Sequence, residues 1–302
     1  FQMSKYNDYA HDPAAIEATR DWLRRESPLV YLYSPSGKGK TTLLGSLFRH
    51  PLYHRVLLID IDQGSTTIAE YTTNAAICER RVFDKTPDKR VGWFNQQIKY
   101  ARAADCGAII VEGFTSIHSG MVAANLEDVE DPEGPAAMRA HIGPSNRTGA
   151  MIESFRATKQ YRLAAGKGVP IIVTLNTRYS PVDPSDMADQ RKKVVPDWSP
   201  NLTDKAMRAS DAFIELDRTP HGTVLLTMQT PENAARKLRA CVPYNPKDRT
   251  LPNAARLVQE QVNLDLPGML ALWAKCDFER KAHITKIIDP SAAPDQSTNP
   301  TA

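Results

Sequence analysis

Short, nearly unbroken apolar runs recur along the chain, separated by stretches of helical periodicity. Pro28 to Tyr33, Arg55 to Asp60, Gly107 to Val111 and Val169 to Leu175 are dominated by Val, Ile, Leu and Tyr, the pattern of strands buried on both faces. Asp12 followed by Pro13 marks an N-capped start for a helix over Ala14 to Glu26, and further helices are predicted over Lys40 to Arg49, Val91 to Ala104 and Ile152 to Ala165. Strands of this kind alternating with helices predict an α/β fold, a mostly parallel sheet with helices on both faces.

After residue 210 the period changes. Ala212 to Leu216 and Thr223 to Met228 flank a short loop of Pro220, His221 and Gly222, which predicts an antiparallel C-terminal hairpin at one edge of the sheet. Two connections, Ser116 to Arg147 and Arg178 to Lys205, are rich in Pro, Asp, Asn and Gly and read as long loops, which inside compact domains are usually functional. A helical region is expected from Leu251 to Ile288, and Asp289 to Ala302 has the composition of a loose tail.

The chain has 302 residues, 41% hydrophobic and 24% charged, proportions that suit a globular protein with a sizeable core. No run approaches about 18 uncharged apolar residues, so no membrane association is expected. The N-terminus lacks the order of a signal peptide, and Phe1-Gln2-Met3 reads as the remnant of a cleaved tag before a native start. Four widely spaced cysteines, Cys78, Cys106, Cys241 and Cys276, form no C-x-x-C pair; neither a zinc knuckle nor a disulfide framework is indicated, and a reducing, cytoplasmic setting is expected. A net charge of +3 is too small to announce a nucleic-acid binder by itself.

The candidate chemistry begins where the first strand meets the next helix. Ser34, Pro35, Ser36, Gly37, Lys38, Gly39, Lys40, Thr41 and Thr42 lie there, in the place of a phosphate-binding loop. The pattern G-x-x-x-x-G-K-[ST] is met at every fixed position but the first, where Ser34 replaces glycine. Glycines let backbone N–H groups turn toward phosphates, the helix N-terminus adds its positive end, Lys40 reaches the β/γ-phosphates and Thr41 ligates magnesium. ATP with Mg2+ is the expected ligand. The stretch Asn176-Thr177-Arg178-Tyr179 lacks the lysine and aspartate of a guanine-reading N-K-x-D, and Pro35 stands where partitioning-type ATPases carry an extra lysine.

Three further segments extend the pattern: Val56 to Ser65, which passes through Asp62 and Gly64; Ala108 to Ile117, through Glu112 and Ser116; and Ile171 to Thr177, through Asn176. Together with the loop they resemble the RecA-like P-loop ATPases over roughly Pro28 to Met228, and most closely the phage-encoded RecA-like AAA proteins of single-strand annealing and recombination. The resemblance implies a catalytic set of Lys40, Asp62, Glu112 and Asn176. Asp62 would polarise the attacking water where glutamate is usual. Glu112 would stand on the magnesium side, with Thr41, where aspartate is usual, and Asn176 would be the sensor.

The same resemblance implies a RecA-like ATPase domain over 28–250, preceded by a helix within 1–27 and followed by a helical extension over 251–288 and a flexible tail over 289–302. It implies a homo-oligomer, ring or filament, in which a neighbour's basic residue reaches the γ-phosphate. Lys237 and Arg239 resemble a K-x-R finger of this kind, with Arg178 a rival. The two long connections occupy the places of DNA-binding loops, and in the second Arg191, Lys192 and Lys193 with Trp198 combine charge and stacking in a way that suits single strands. The expected function is an ATP-hydrolysing protein of phage DNA recombination or replication. Two alternatives stay open: a P-loop kinase of a small substrate, and a nucleotide-dependent assembly or motor-accessory protein with slow turnover.

Overall fold

The computed structural model describes residues 3–62, 78–82, 89–127, 129, 134–181, 192–229, 235–238 and 254–288. The four apolar runs form β1 (Leu29–Tyr33), β2 (Val56–Asp60), β4 (Ala108–Glu112) and β5 (Ile171–Leu175), each buried along its whole length. With β3 (Cys78–Val82), β8 (Ala212–Thr219), β9 (Gly222–Leu226) and β10 (Lys237–Leu238) they make one sheet in the order β10-β8-β1-β5-β4-β2-β3, with β9 also on β8. Every pair from β8 through β3 is parallel, and β9 and β10 run antiparallel along the outer edge of β8. This is the mostly parallel α/β architecture, with an antiparallel hairpin at one edge, that the sequence pattern predicts.

Period-two alternation in the strands divides the core into two layers. Val30, Leu32, Val56, Leu58, Ile110 and Ile172 point to one face, and Leu29, Tyr31, Leu57, Ile59, Ile109 and Ile171 to the other. The first face is covered by α2 (Pro13–Glu26), α3 (Lys40–Phe48), α9 (Ala254–Gln259) and α10 (Leu266–Ile288), with α1 (Lys5–Ala10) packed on α10. The second is covered by α4 (Arg90–Ala103), α5 (Thr115–Leu126), α7 (Ile142–Ala164) and α8 (Pro200–Ala209). No helix among the described residues is long and apolar enough to cross a membrane.

Helix α2 starts where its sequence says it should. Asp12 accepts from the N–H groups of Ala14 and Ala15 at 2.9 and 3.2 Å, Pro13 takes the first position, and Arg24 and Arg25 face the negative end of the dipole. The two stretches expected as long loops are largely ordered elements instead. The first contains α5, α6 (Pro135–Ala140) and the first turns of α7; the second contains an antiparallel ribbon of β6 (Thr177–Pro181) and β7 (Lys192–Pro196), and then α8. The prolines that read as loop punctuation explain the difference. Pro135, Pro144 and Pro200 stand in first helical turns, where no backbone N–H is required. Positions 128 and 130–133, Arg191 and the expected tail lie outside the described residues.

The segments expected as an N-terminal helix and a C-terminal extension pack into a single layer. The Trp22 and Trp273 rings lie 5.2 Å apart, Trp22 Nε1 donates to Asp277 Oδ2 at 3.2 Å, and Lys281 bridges Glu26 and Asp277 at 2.8 Å each. Both tryptophans belong to the same buried cluster as strands β1 and β2. Trp273→Ala is therefore expected to destabilise the whole described fold by about 3–5 kcal/mol, in one cooperative urea transition. An early transition confined to helical signal would make α10 an appendage instead.

Candidate functional site

The parallel register brings the carboxyl ends of β1, β2, β4 and β5 to one edge, where ligands of open α/β sheets sit. Tyr33 leads directly into the loop of residues 34–42. Gly37 and Gly39 adopt φ of 78° and 94°, which a side chain would strain, and Gly39 is the N-cap of α3 without a side-chain capping bond. The first N–H groups of α3 are thus not taken up by a capping side chain, which suits an anion. Ser34, at the position where the motif has glycine, is fully buried and fits the loop: Lys40 Nζ donates to its carbonyl at 2.6 Å and to its hydroxyl at 3.2 Å. Lys38 pairs with Asp217 of β8 at 3.0 Å.

Three carboxylates gather opposite Lys40. Asp60 and Glu112 are register partners on β2 and β4, and Asp62 follows two residues after β2. Asp62 packs so closely on the backbone of Gly113 (φ 76°) that any side chain there would collide with its carboxylate. Glu112 is 7% exposed and accepts from Thr41 Oγ1 at 3.0 Å through Oε1, while its Oε2 is buried with no hydrogen-bond partner among the described residues. Burial, helped by Asp60 and Asp62 and opposed by Thr41 and Lys40, pushes the Glu112 carboxyl up from 4.5 to about 7. Burial also lowers the Lys40 ammonium, against the pull of Glu112 and Asp62.

The residues fit a magnesium ion shared with phosphates. The orphaned Glu112 Oε2 is a free acceptor among the described residues, of the kind a metal-bound water would satisfy, and the Thr41 hydroxyl is oriented by Oε1. No group of three or more His, Cys, Asp or Glu side chains among the described residues is arranged to hold a metal by itself. A hard cation here would take most of its oxygen ligands from phosphate and water, as Mg2+ commonly does.

The remaining candidates fall in different places. Asn176 lies at the end of β5, its N–H on Thr115 Oγ1 at 2.8 Å and its Nδ2 on Ser116 Oγ at 3.2 Å, so it joins β5 to the first turn of α5 beside the site. Lys237 is not presented to a neighbour: its ammonium donates to the carbonyls of Met207 and Ser210 at 2.6 and 2.7 Å, closing the C-terminus of α8. Trp198 is not a stacking platform either. It is 4% exposed, lies edge-on to Phe114 at 5.9 Å and donates to Thr203 Oγ1 at 2.9 Å. Arg178 is exposed on β6, Lys192 and Lys193 lie on β7, and Arg239, like Arg191, lies outside the described residues.

Two participants escape the sequence reading. Arg80 on β3 donates to Asp60 Oδ2 at 2.7 Å, and Gly113 makes room for Asp62. Both depend on neighbouring strands, although the Glu-Gly step after an apolar run is a visible signal for Gly113.

No protein-family model matches the chain, and no curated protein matches it. Among solved structures, an ATPase from the type III secretion system of pathogenic bacteria is similar, at 15% identity and a TM-score of 0.40. The likeness covers 64% of this chain and about half, 51%, of that one.

The Glu112 shift carries a pH signature. Its folded carboxyl holds a proton between 4.5 and about 7 that the unfolded chain releases. Stability in metal-free, chelated solution is therefore expected to fall across that window, by about 1 kcal/mol per pH unit at the steepest, and to level off above it. Glu112→Gln should remove this component. Urea unfolding at pH 5, 6, 7 and 8 checks it, and equal pH slopes for the two proteins would refute the shift.

Proposed function

We propose that this chain binds ATP with magnesium and hydrolyses it. The observation that carries the reading is the convergence of Lys40, Thr41, Asp62 and Glu112 around the N-terminus of α3, at the carboxyl ends of adjacent parallel strands. Lys40 and the N–H groups of α3 bind the phosphates, and exchange of Lys40's bonds to Ser34 for phosphate oxygens leaves its donors satisfied. When bound, magnesium neutralises charge developing on the transferred phosphoryl group. In hydrolysis the oxygen of water bonds to the terminal phosphorus, the bridging P–O bond breaks, and the proton of the water passes to a carboxylate, which we assign to Asp62.

Lys40→Ala is expected to abolish nucleotide binding measured by calorimetry with ATP and magnesium, with the melting transition retained. Undiminished affinity would remove the loop from the site. Asp62→Asn should keep ATP affinity and lose at least about 100-fold in turnover, the lower range for a positioned base. Normal turnover in that variant would pass the role to Glu112. Phosphate release without any added acceptor separates an ATPase from a kinase.

The finer reading, a homo-oligomer acting on single-stranded DNA in phage recombination or replication, rests on the motif resemblance and on the β6–β7 ribbon. That ribbon carries Arg178 and Lys193 on one face and Tyr179, 62% exposed, on the other. Tyr179 takes the stacking role that the buried Trp198 does not fill, and Arg178 is the finger candidate that stays exposed. Neutralising Arg191, Lys192 and Lys193 together is expected to lower the log–log salt slope of single-strand binding by about 0.7 for each phosphate no longer neutralised. Tyr179→Ala should instead weaken binding at every salt concentration. Unchanged binding in both variants would take the ribbon out of DNA contact.

A further inference from the structure

A cavity of about 600 Å3 opens from the phosphate loop toward the terminal segments of the chain. Gly39 and Thr42 line its loop end, and His11, Thr223, Asn263 and Asp265 line it further on. The volume lies within the usual range of small-molecule sites. Its walls come from four separate parts of the sequence. Three of them are tied together by hydrogen bonds: Asn263 N–H to Thr223 O at 2.8 Å, Thr223 N–H to Asn263 Oδ1 at 3.0 Å, Asn7 Nδ2 to Asn263 O at 2.9 Å, and Asp265 N–H to Asn7 Oδ1 at 3.1 Å.

Asp265 is the unusual member of that wall. Its Oδ1 caps α10 by accepting from Gly268 N–H at 2.7 Å, whereas its Oδ2 accepts no hydrogen bond from the described residues. The side chain is half-buried; burial raises its carboxyl, with His11 opposing the shift and Asp8 adding to it. A carboxylate at this place repels a phosphate chain and accepts from O–H or N–H groups. A nucleotide whose phosphates lie on the loop presents its donors one nucleoside length away: the ribose hydroxyls and the exocyclic amine of the base.

We infer that this cavity holds the nucleoside half of the nucleotide and that Asp265 Oδ2 accepts a hydrogen bond from a nucleoside donor. The inference rests on the phosphate-loop reading and deepens it. It assigns specificity to a turn outside the resembling segment, between α9 and α10, and makes the terminal helices part of the nucleotide site.

Calorimetry in the presence of magnesium tests it with four probes: ATP, 2′-deoxy-ATP, purine riboside triphosphate, which lacks the amine, and inorganic tripolyphosphate. The wild type is expected to bind ATP at least about tenfold more tightly than tripolyphosphate. Asp265→Asn keeps an Oδ1 cap and is expected to lose about tenfold or more for ATP, the weight of a charge-assisted hydrogen bond, with tripolyphosphate unchanged. Whichever analogue lacks the recognised donor should show the same loss in the wild type and no further loss in the variant. His11→Ala, on the exposed wall, is the second variant and should weaken ATP without affecting tripolyphosphate. Equal affinity of the wild type for ATP and tripolyphosphate would overturn the nucleoside cavity while leaving the phosphate loop standing. Full ATP affinity in a folded Asp265→Asn would overturn the role of Asp265. Binding of neither ATP nor tripolyphosphate would instead bring down the phosphate-loop reading, and the cavity with it.

Discussion

Three carboxylates held at neighbouring strand ends, Asp60 and Glu112 buried and Asp62 exposed, are the constraint around which this edge of the sheet is built. Parallel pairing leaves no freedom in the matter: register sets Asp60 beside Glu112, and two residues later Asp62 turns back over Gly113. The surroundings answer each carboxylate differently. Asp60 receives a guanidinium from Arg80, Asp62 receives space from a glycine, and Glu112 receives a hydroxyl from Thr41 and the field of Lys40. Burial in the first place, with Asp60 and Asp62 adding to it, pushes the Glu112 carboxyl up to about 7. A fold that tolerates such a group has its compensation in the rest of the core, and sites of chemistry are where local consistency is expected to give way.

The edge strand β3 takes its meaning from this. Its sequence, Cys78 to Val82, has three charged residues in five, which protects an exposed edge from further pairing. Its register sets Arg81 opposite Ile59 and Val82 opposite Asp60, so Arg80 reaches Asp60 diagonally across the pair. The same strand therefore closes the sheet and neutralises part of the carboxylate group. On the same face of the sheet as Asp60, α3 is pressed between β1 and the layer of α2 and α10, and Ser46 of α3 accepts from Leu266 N–H at 3.3 Å. The position of the phosphate loop is thus held from the two ends of the chain as well as from the strand that precedes it.

Strands buried on both faces were legible because nothing polar interrupts them, and α2 because its cap, proline and basic last turn are all local signals. The loop from Ser34 to Thr42 was legible for the same reason: glycines, lysine and threonine at fixed spacing between a strand and a helix. Partnership was not legible. Lys237 and Trp198 carry the residue types of a finger and a stacking platform, yet one closes α8 through two carbonyls and the other fills the core beside Phe114. The fate of each depends on what the fold brings to it from far along the chain. Strand β3 was missed because a charged edge has no apolar run, and β6, β7 and α8 because proline marks a helix start as readily as a loop.

Two side-chain lengths at this edge make better sense as one. Glutamate in place of aspartate at 112 lengthens the side chain on β4, and with that length Oε1 meets Thr41 Oγ1 at 3.0 Å. Aspartate in place of glutamate at 62 shortens the side chain after β2, and the short carboxylate lies flat against Gly113, where even a Cβ would collide with it. Asp62 is also close enough for its charge to act on Glu112. The two carboxyl groups thus have reaches matched across adjacent strands, Oε1 of Glu112 to Thr41 and the Asp62 carboxylate to Gly113, so that a change of length at either position would disturb the contact its own strand end makes.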